Sequence, residues 1–136
     1  MKYLAIDHGL KRTGLAVCDP SETICSPFTV LDSKKNLIDR IVKIILEENV
    51  EAVVIGLPLN MDDTEGPQAK TVRQFAEKLK AAIDNIPIHF QDERLSSYGA
   101  DEKLDMTDLS IARKKKLQDA VAAADILQTF LENNAS

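Results

Sequence analysis

The sequence predicts an α/β sandwich, a mixed sheet of five strands with helices on both faces. Three observations carry this. The unbroken apolar run Ala52–Leu57 has the character of a central strand covered on both sides. Segments 36–49 and 67–83 carry apolar residues at helical spacing and lie between strand-like segments, as crossovers do. Ahead of them, short apolar stretches alternate with tight turns, as in a hairpin. The order is β-β-β-α-β-α-β-α-α, and strands that follow a helical crossover should lie parallel to the first one.

Residues 3–8 and 13–19 read as strands joined by the turn His8–Arg12, which is short enough for antiparallel pairing. Asp19-Pro20-Ser21 is a turn, and 26–31 a third strand kept near an edge by Pro27. In 36–49, Leu37, Ile38, Ile41, Ile44 and Ile45 form one stripe, ending at Glu48. Pro58 closes the central strand, and 59–66 is a loop, expected to contact substrate or to gate it. Pro67 suits a first helical turn with Gly66 as its cap; Val72, Phe75, Ala76, Leu79 and Ile83 are its buried stripe. Residues 87–91 form the last strand and run into Asp92-Glu93-Arg94. Ser96 or Ser97 can cap a short helix ending near Leu104, 105–110 reads as a loop, and Ser110 can cap a final helix to about Glu132.

At 136 residues the chain is expected to be a single domain, residues 1–136, large enough for a core. No apolar run approaches the ~20 residues of a membrane span, and no basic-then-apolar leader opens the chain. Cys18 and Cys25 lack a Cys-x-x-Cys spacing, so a cytoplasmic protein with free thiols is expected. The net charge of −5 argues against non-specific coating of nucleic acid. It leaves room for a site with clustered acids and local basic residues, of which Lys11-Arg12 and Arg113 to Lys116 are the main groups.

Function is sought in acids that converge. Sites in open α/β sheets gather beyond the carboxyl ends of parallel strands. Asp7 ends the first strand; Asp92 and Glu93 end the last. Ile88, Phe90 and Asp92 share one strand face, His89, Gln91 and Glu93 the other, so either acid could point into the site. Asp119 heads a helical stripe with Ala123, Ile126, Leu127 and Phe130, where a carboxylate needs a metal or a salt bridge to Arg94, Lys115 or Lys116. Asp125 lies off this stripe and is expected to face solvent. His8 is read as a turn residue beside Asp7, able alternatively to position water or phosphate, and His89 as a plain strand residue. Oxygen-donor acids without a Cys/His cluster suit Mg²⁺ or Mn²⁺ and phosphodiester hydrolysis. Lys11 and Arg12 would stand on the phosphate side.

Four segments together resemble one family: Ile6-Asp7-His8-Gly9 with Lys11-Arg12, Gly14 and Asp19-Pro20; Gly56-Leu57-Pro58 with Asn60-Met61-Asp62 and Thr64 to Gln68; Asp92-Glu93-Arg94-Leu95; and Asp119 with Ala122-Ala123 and Ile126-Leu127-Gln128. The chain resembles the bacterial YqgF family, also called RuvX-like Holliday junction resolvases. The resemblance implies a ribonuclease H-like fold related to the RuvC resolvases, and a cytoplasmic nuclease that processes the 5′ end of pre-16S ribosomal RNA. It implies Asp7, Glu93 and Asp119 as catalytic and metal-binding acids, with Asp92 as a substitute ligand. Lys11, Arg12, Arg94, Lys114, Lys115 and Lys116 are the expected nucleic-acid contacts, on structured RNA or branched DNA, in a monomer or homodimer. The family usually has glycine at position 63; a turn built for positive φ strains a non-Gly residue, though Asp tolerates it better than most, so the departure bears on the geometry of this loop and not on the acid site. Two other classes compete: an ATP-binding protein of the actin and sugar-kinase type, which needs a second such domain, and a non-catalytic RNA-binding assembly factor.

Overall fold

In the computed structural model, residues 1–93 and 111–134 are described, with residues 111–116 described as backbone only. The elements are β1 (Tyr3–His8), β2 (Arg12–Cys18), β3 (Cys25–Asp32), α1 (Leu37–Glu47), β4 (Ala52–Leu57), α2 (Pro67–Ala82), β5 (Ile88–Asp92) and α3 (Ile111–Asn134). The short helix expected at 96–104 and the loop at 105–110 lie outside the described residues.

The sheet order is β3-β2-β1-β4-β5. β1 pairs antiparallel with β2, which pairs antiparallel with β3. β4 lies parallel to β1, and β5 parallel to β4. This is the mixed sheet expected, with β3 at one edge. Residues 3–6 of β1 and 52–55 of β4 stand in direct register, which brings the carboxyl ends of β1, β4 and β5 to one side of the sheet.

Strand alternation sorts side chains into two cores. Leu4, Ile6, Leu15, Val53 and Ile55 join the stripes of α1 (Leu37, Ile41, Ile45) and α2 (Val72, Phe75, Ala76, Leu79). Ala5, Ala16 and Val54 face the other way, onto Ala123, Ala124, Ile126, Leu127 and Phe130 of α3. The alanines there are the reason a single helix can lie so low on the sheet. All six residues of β4 are buried, as its unbroken apolar run requires.

Burial of α3 extends well beyond the stripe counted from Asp119. Ala120, Val121, Ala124 and Asp125 are buried too, so Asp125 does not face solvent. The helix crosses a broad sheet face at close range, and its low alanine-rich surface sinks in on more than one side. Cys18 and Cys25 are not joined in a disulfide and stand opposite each other across β2 and β3. Among the described residues no helix is long and apolar enough to cross a membrane.

The loop 59–66 is a tight, self-bonded turn. Asn60 N–H donates to the Thr64 carbonyl at 2.8 Å, and Asp63 N–H to the Asn60 carbonyl at 2.9 Å. Asp63 has φ 70°, so the loop keeps a left-handed turn although an aspartate stands in the glycine position. Asp62 Oδ1 accepts from both Thr64 N–H (3.1 Å) and Thr64 Oγ1–H (2.6 Å). Glu65 is held by a two-pronged bond from Arg73, whose guanidinium lies 4.9 Å from the Phe90 ring centre. The carboxylates of Asp62 and Glu65 are thus occupied in building the loop.

Candidate active site

Asp7 follows Ile6 at the carboxyl end of β1 and, by alternation with Ala5, stands on the α3 face of the sheet. Glu93 follows Asp92, the last residue of β5. These strands are not neighbours, because β4 runs between them. Gly56 of β4 solves the problem. A Cβ there would sit 2.6 Å from Glu93 Oε1 and 2.8 Å from its Cγ. The missing side chain is the passage through which Glu93 crosses β4 to reach Asp7.

The two carboxyl groups meet in a hydrogen bond, with protonated Glu93 donating to Asp7. Burial pushes Glu93 up to about 8, helped by the bond to Asp7 and by the charges of Asp7 and Asp92. Burial also raises Asp7. The proton it receives from Glu93 works the other way, and the Asp119 charge adds to the rise. Glu93, rather than Asp92, is therefore the acid that joins Asp7, and Asp92 acts on the pair through its charge.

Asp119 is brought in by close backbone contact. A Cβ on Gly14 would lie 2.0 Å from the Asp119 carbonyl oxygen and 2.2 Å from its carbon. Only glycine lets α3 rest on β2 there, which fixes where Asp119 stands along the sheet. Its Oδ2 accepts a hydrogen bond from Arg12 Nε at 2.9 Å. Among the described residues the partner is thus Arg12: β2 starts with it, on the face of the sheet that α3 covers. Arg94 lies outside the described residues, as do the side chains of Lys114, Lys115 and Lys116.

His8 belongs to β1 itself and faces away from Asp7, with its ring stacked on Phe75 of α2 at 4.3 Å. A relay of hydroxyls starts from it. His8 Nδ1 lies 3.2 Å from Thr13 Oγ1, Thr13 Oγ1 2.7 Å from Ser33 Oγ, and Ser33 Oγ–H donates to the Gly9 carbonyl at 2.7 Å. Each hydroxyl has one proton. Ser33 spends its own on Gly9, so Thr13 donates to Ser33 and His8 Nδ1–H donates to Thr13. Burial lowers the His8 pKa, which keeps the ring neutral and its Nε2 a lone-pair acceptor. The relay ties the turn that carries Lys11 and Arg12 to β3. His89, as expected, is a strand residue, packed 5.1 Å from the Phe130 ring.

Gly14 and Gly56 are the positioning residues that sequence reasoning missed. The available signal was a glycine inside each strand pattern, which marks a close approach. Among the described residues no group of three His, Cys, Asp or Glu side chains is already drawn together tightly enough to hold a cation. Asp7 and Glu93 nonetheless fit one as donors: two desolvated carboxylates that must hold a proton between them offer hard oxygen ligands whose repulsion a divalent cation relieves.

The sheet order β3-β2-β1-β4-β5, with a half-buried acid pair at the carboxyl ends of β1 and β5, has the ribonuclease H-like arrangement. The profile of the RuvX family, described as Holliday junction resolvase, matches residues 1–133. The chain belongs to this family, and its reaction class is hydrolysis of phosphodiester bonds. A protein of Maridesulfovibrio salexigens is 40% identical over 133 residues, covering 96% of this chain and 98% of that one. One of Endomicrobium trichonymphae is 42% identical over 135 residues, covering 96% and 95%. Both are named "Putative pre-16S rRNA nuclease". Among solved structures, RuvC of T. thermophilus in complex with a Holliday junction substrate superposes with a TM-score of 0.64 at 14% identity, covering 99% of this chain and 96% of that one. The Fowlpox virus resolvase with junction DNA gives 0.63 at 13% identity over the whole of both chains. These two likenesses establish the fold.

Proposed function

We propose that this chain is a metal-dependent nuclease that trims the 5′ end of pre-16S ribosomal RNA, working in the cytoplasm as one ribonuclease H-like domain. The observation that carries the catalytic part is the Asp7–Glu93 pair, two half-buried carboxyls sharing a proton at the end of the sheet. The substrate is argued from the names of relatives about 40% identical along nearly the whole chain.

Asp7, Glu93 and Asp119 would hold Mg²⁺ or Mn²⁺, with Asp92 beside them. When bound, the cation supplies charge to the attacking water and to the leaving oxygen of the phosphodiester. The chain's own residues do the rest. Asp7 and Glu93 would release the proton between them to solvent and serve as two oxygen ligands. Asp119 would exchange its bond with Arg12 for the same task. Arg12, with its side chain 61% exposed, then turns with Lys11 to the phosphates of the strand. Arg94 and Lys114 to Lys116 extend this contact along the backbone.

The test is cleavage of a precursor RNA bearing the 5′ leader of 16S ribosomal RNA, with Mg²⁺ or Mn²⁺, beside a four-way DNA junction. The expected result is metal-dependent cut of the RNA at its leader, absent in Asp7→Asn at an unchanged fold. Cleavage of the junction alone would make the chain a resolvase. Equal cleavage by Asp7→Asn would refute the acid site.

A further inference from the structure

A cavity of about 640 Å³ opens between the β3 edge and α3, and Arg12, the partner of Asp119, lines it. Lys11 and Arg12 form its cationic rim; Phe28, Val30 and Leu117 its apolar lining; Asp32 closes one end. Two features of the chain make this a built surface. β3 carries a bulge at Phe28: Leu15 pairs with Thr29 and Ala16 with Pro27, so Phe28 is the extra residue. Bulges re-aim a side chain at the cost of ladder bonds. Here the ring so aimed is left 41% exposed. The second feature is charge. In a chain of net charge −5, the rim of this apolar cavity carries two cations, and one of them is the Asp119 partner.

We propose that this cavity receives one unpaired nucleobase of the substrate, next to the scissile phosphate. The base stacks on Phe28, and its phosphate lies between Lys11 and Arg12. An aromatic face beside paired cations is the recurring design for an unstacked nucleotide. The cavity's continuity with the acids through Arg12 puts that nucleotide beside the reacting one. Asp32 at the far end accepts from base N–H groups, while Lys35 at 3.9 Å moderates its charge. The inference rests on the nuclease reading and adds its substrate feature: cleavage next to an extruded or single-stranded nucleotide, not within a continuous duplex.

The experiment measures binding in EDTA, so that it is independent of cleavage. The full chain is titrated into three dye-labelled RNA hairpins: fully paired, with one unpaired adenosine, and with an abasic residue at that place. The wild type should bind the bulged hairpin about ten-fold tighter than the paired or abasic ones, a range typical of one base on one ring. Phe28→Ala should bind all three alike, with no further loss on the abasic hairpin, as a double-mutant cycle requires. Phe28→Trp should keep the preference. Lys11→Ala should weaken all three and lower the salt slope by about one. A wild type without preference for the unpaired base, or a Phe28→Ala that keeps it, overturns the proposal. Either result beside intact cleavage of precursor RNA removes the cavity's role and leaves the nuclease standing; Phe28-dependent preference without any cleavage does the reverse.

Discussion

Replacing Glu93 by Gln should stabilise the metal-free protein at neutral pH while abolishing its chemistry. Glu93 has its pKa raised from 4.5 to about 8. A carboxyl so shifted contributes stability that is complete below its unfolded pKa and is lost as pH rises through the folded one. At 1.36 kcal/mol per unit, the loss reaches roughly 3 kcal/mol by pH 7. Discounted for the part of the group that solvent still reaches, about 2 kcal/mol remains. Gln stays neutral and can still donate to Asp7, so its stability should be level across this window. In a chain of this size about 2 kcal/mol corresponds to a Tm difference of about 8 °C. The assay is thermal unfolding by circular dichroism in EDTA at pH 5, 6, 7 and 8. The two proteins should melt together at pH 5 and separate progressively, the variant higher. Saturating Mn²⁺ should then raise the wild type by about 2–3 kcal/mol at a hundred times its Kd and raise Glu93→Gln far less. Parallel Tm curves from pH 5 to 8 would refute the shared-proton account.

Two further outcomes follow from the geometry. Gly14→Ala drives a methyl group into the Asp119 backbone and should cost about 3 kcal/mol or more, whereas Gly56→Ala meets movable side-chain atoms of Glu93 and Ile126. Gly56→Ala should therefore cost only about 1–2 kcal/mol, yet lose the pH-dependent destabilisation above, because Glu93 is pushed off Asp7; chemical denaturation at pH 5 and 8 checks both. His8 should show a protonated Nδ1 and a bare Nε2 in long-range ¹⁵N–¹H correlation spectra, and a pKa below the ordinary 6.5. Thr13→Val removes its acceptor and should shift the tautomer balance; an unchanged Nδ1–H spectrum in that variant would break the relay.

The sheet was legible because its signals are local. An apolar run without polar interruption can only be a covered strand, and two helical stripes between strands force parallel pairing, as β1, β4 and β5 show. The acids were legible one by one, as carboxylates at strand ends and on a helix stripe. What joins them was not. The choice of Glu93 over Asp92 turns on β4 offering a glycine at the crossing, which is a property of a strand distant in the chain. The Arg12–Asp119 bond and the burial of Asp125 depend on how low α3 lies, and so on Gly14 and on the alanines beneath it. Periodicity in α3 marked its most apolar line, but it carries no measure of how deep a helix sinks. The left-handed Asp63 was not legible, because an aspartate in a glycine position can either keep the turn or change it, and the bonds of the loop decide which.

The passage of Glu93 over β4 also has a kinetic side. Asp7 and Glu93 lie near opposite ends of the described sheet sequence and meet only after both crossovers are in place. Our expectation is that so distant a side-chain pair closes beyond the folding barrier. The repulsion between the two acids then burdens the finished protein and spares the route to it. Raising the pH from 5 to 8 should quicken unfolding and leave the refolding rate nearly unchanged. A bound cation should slow unfolding in the same one-sided way, so the site's chemistry also sets the lifetime of its native state.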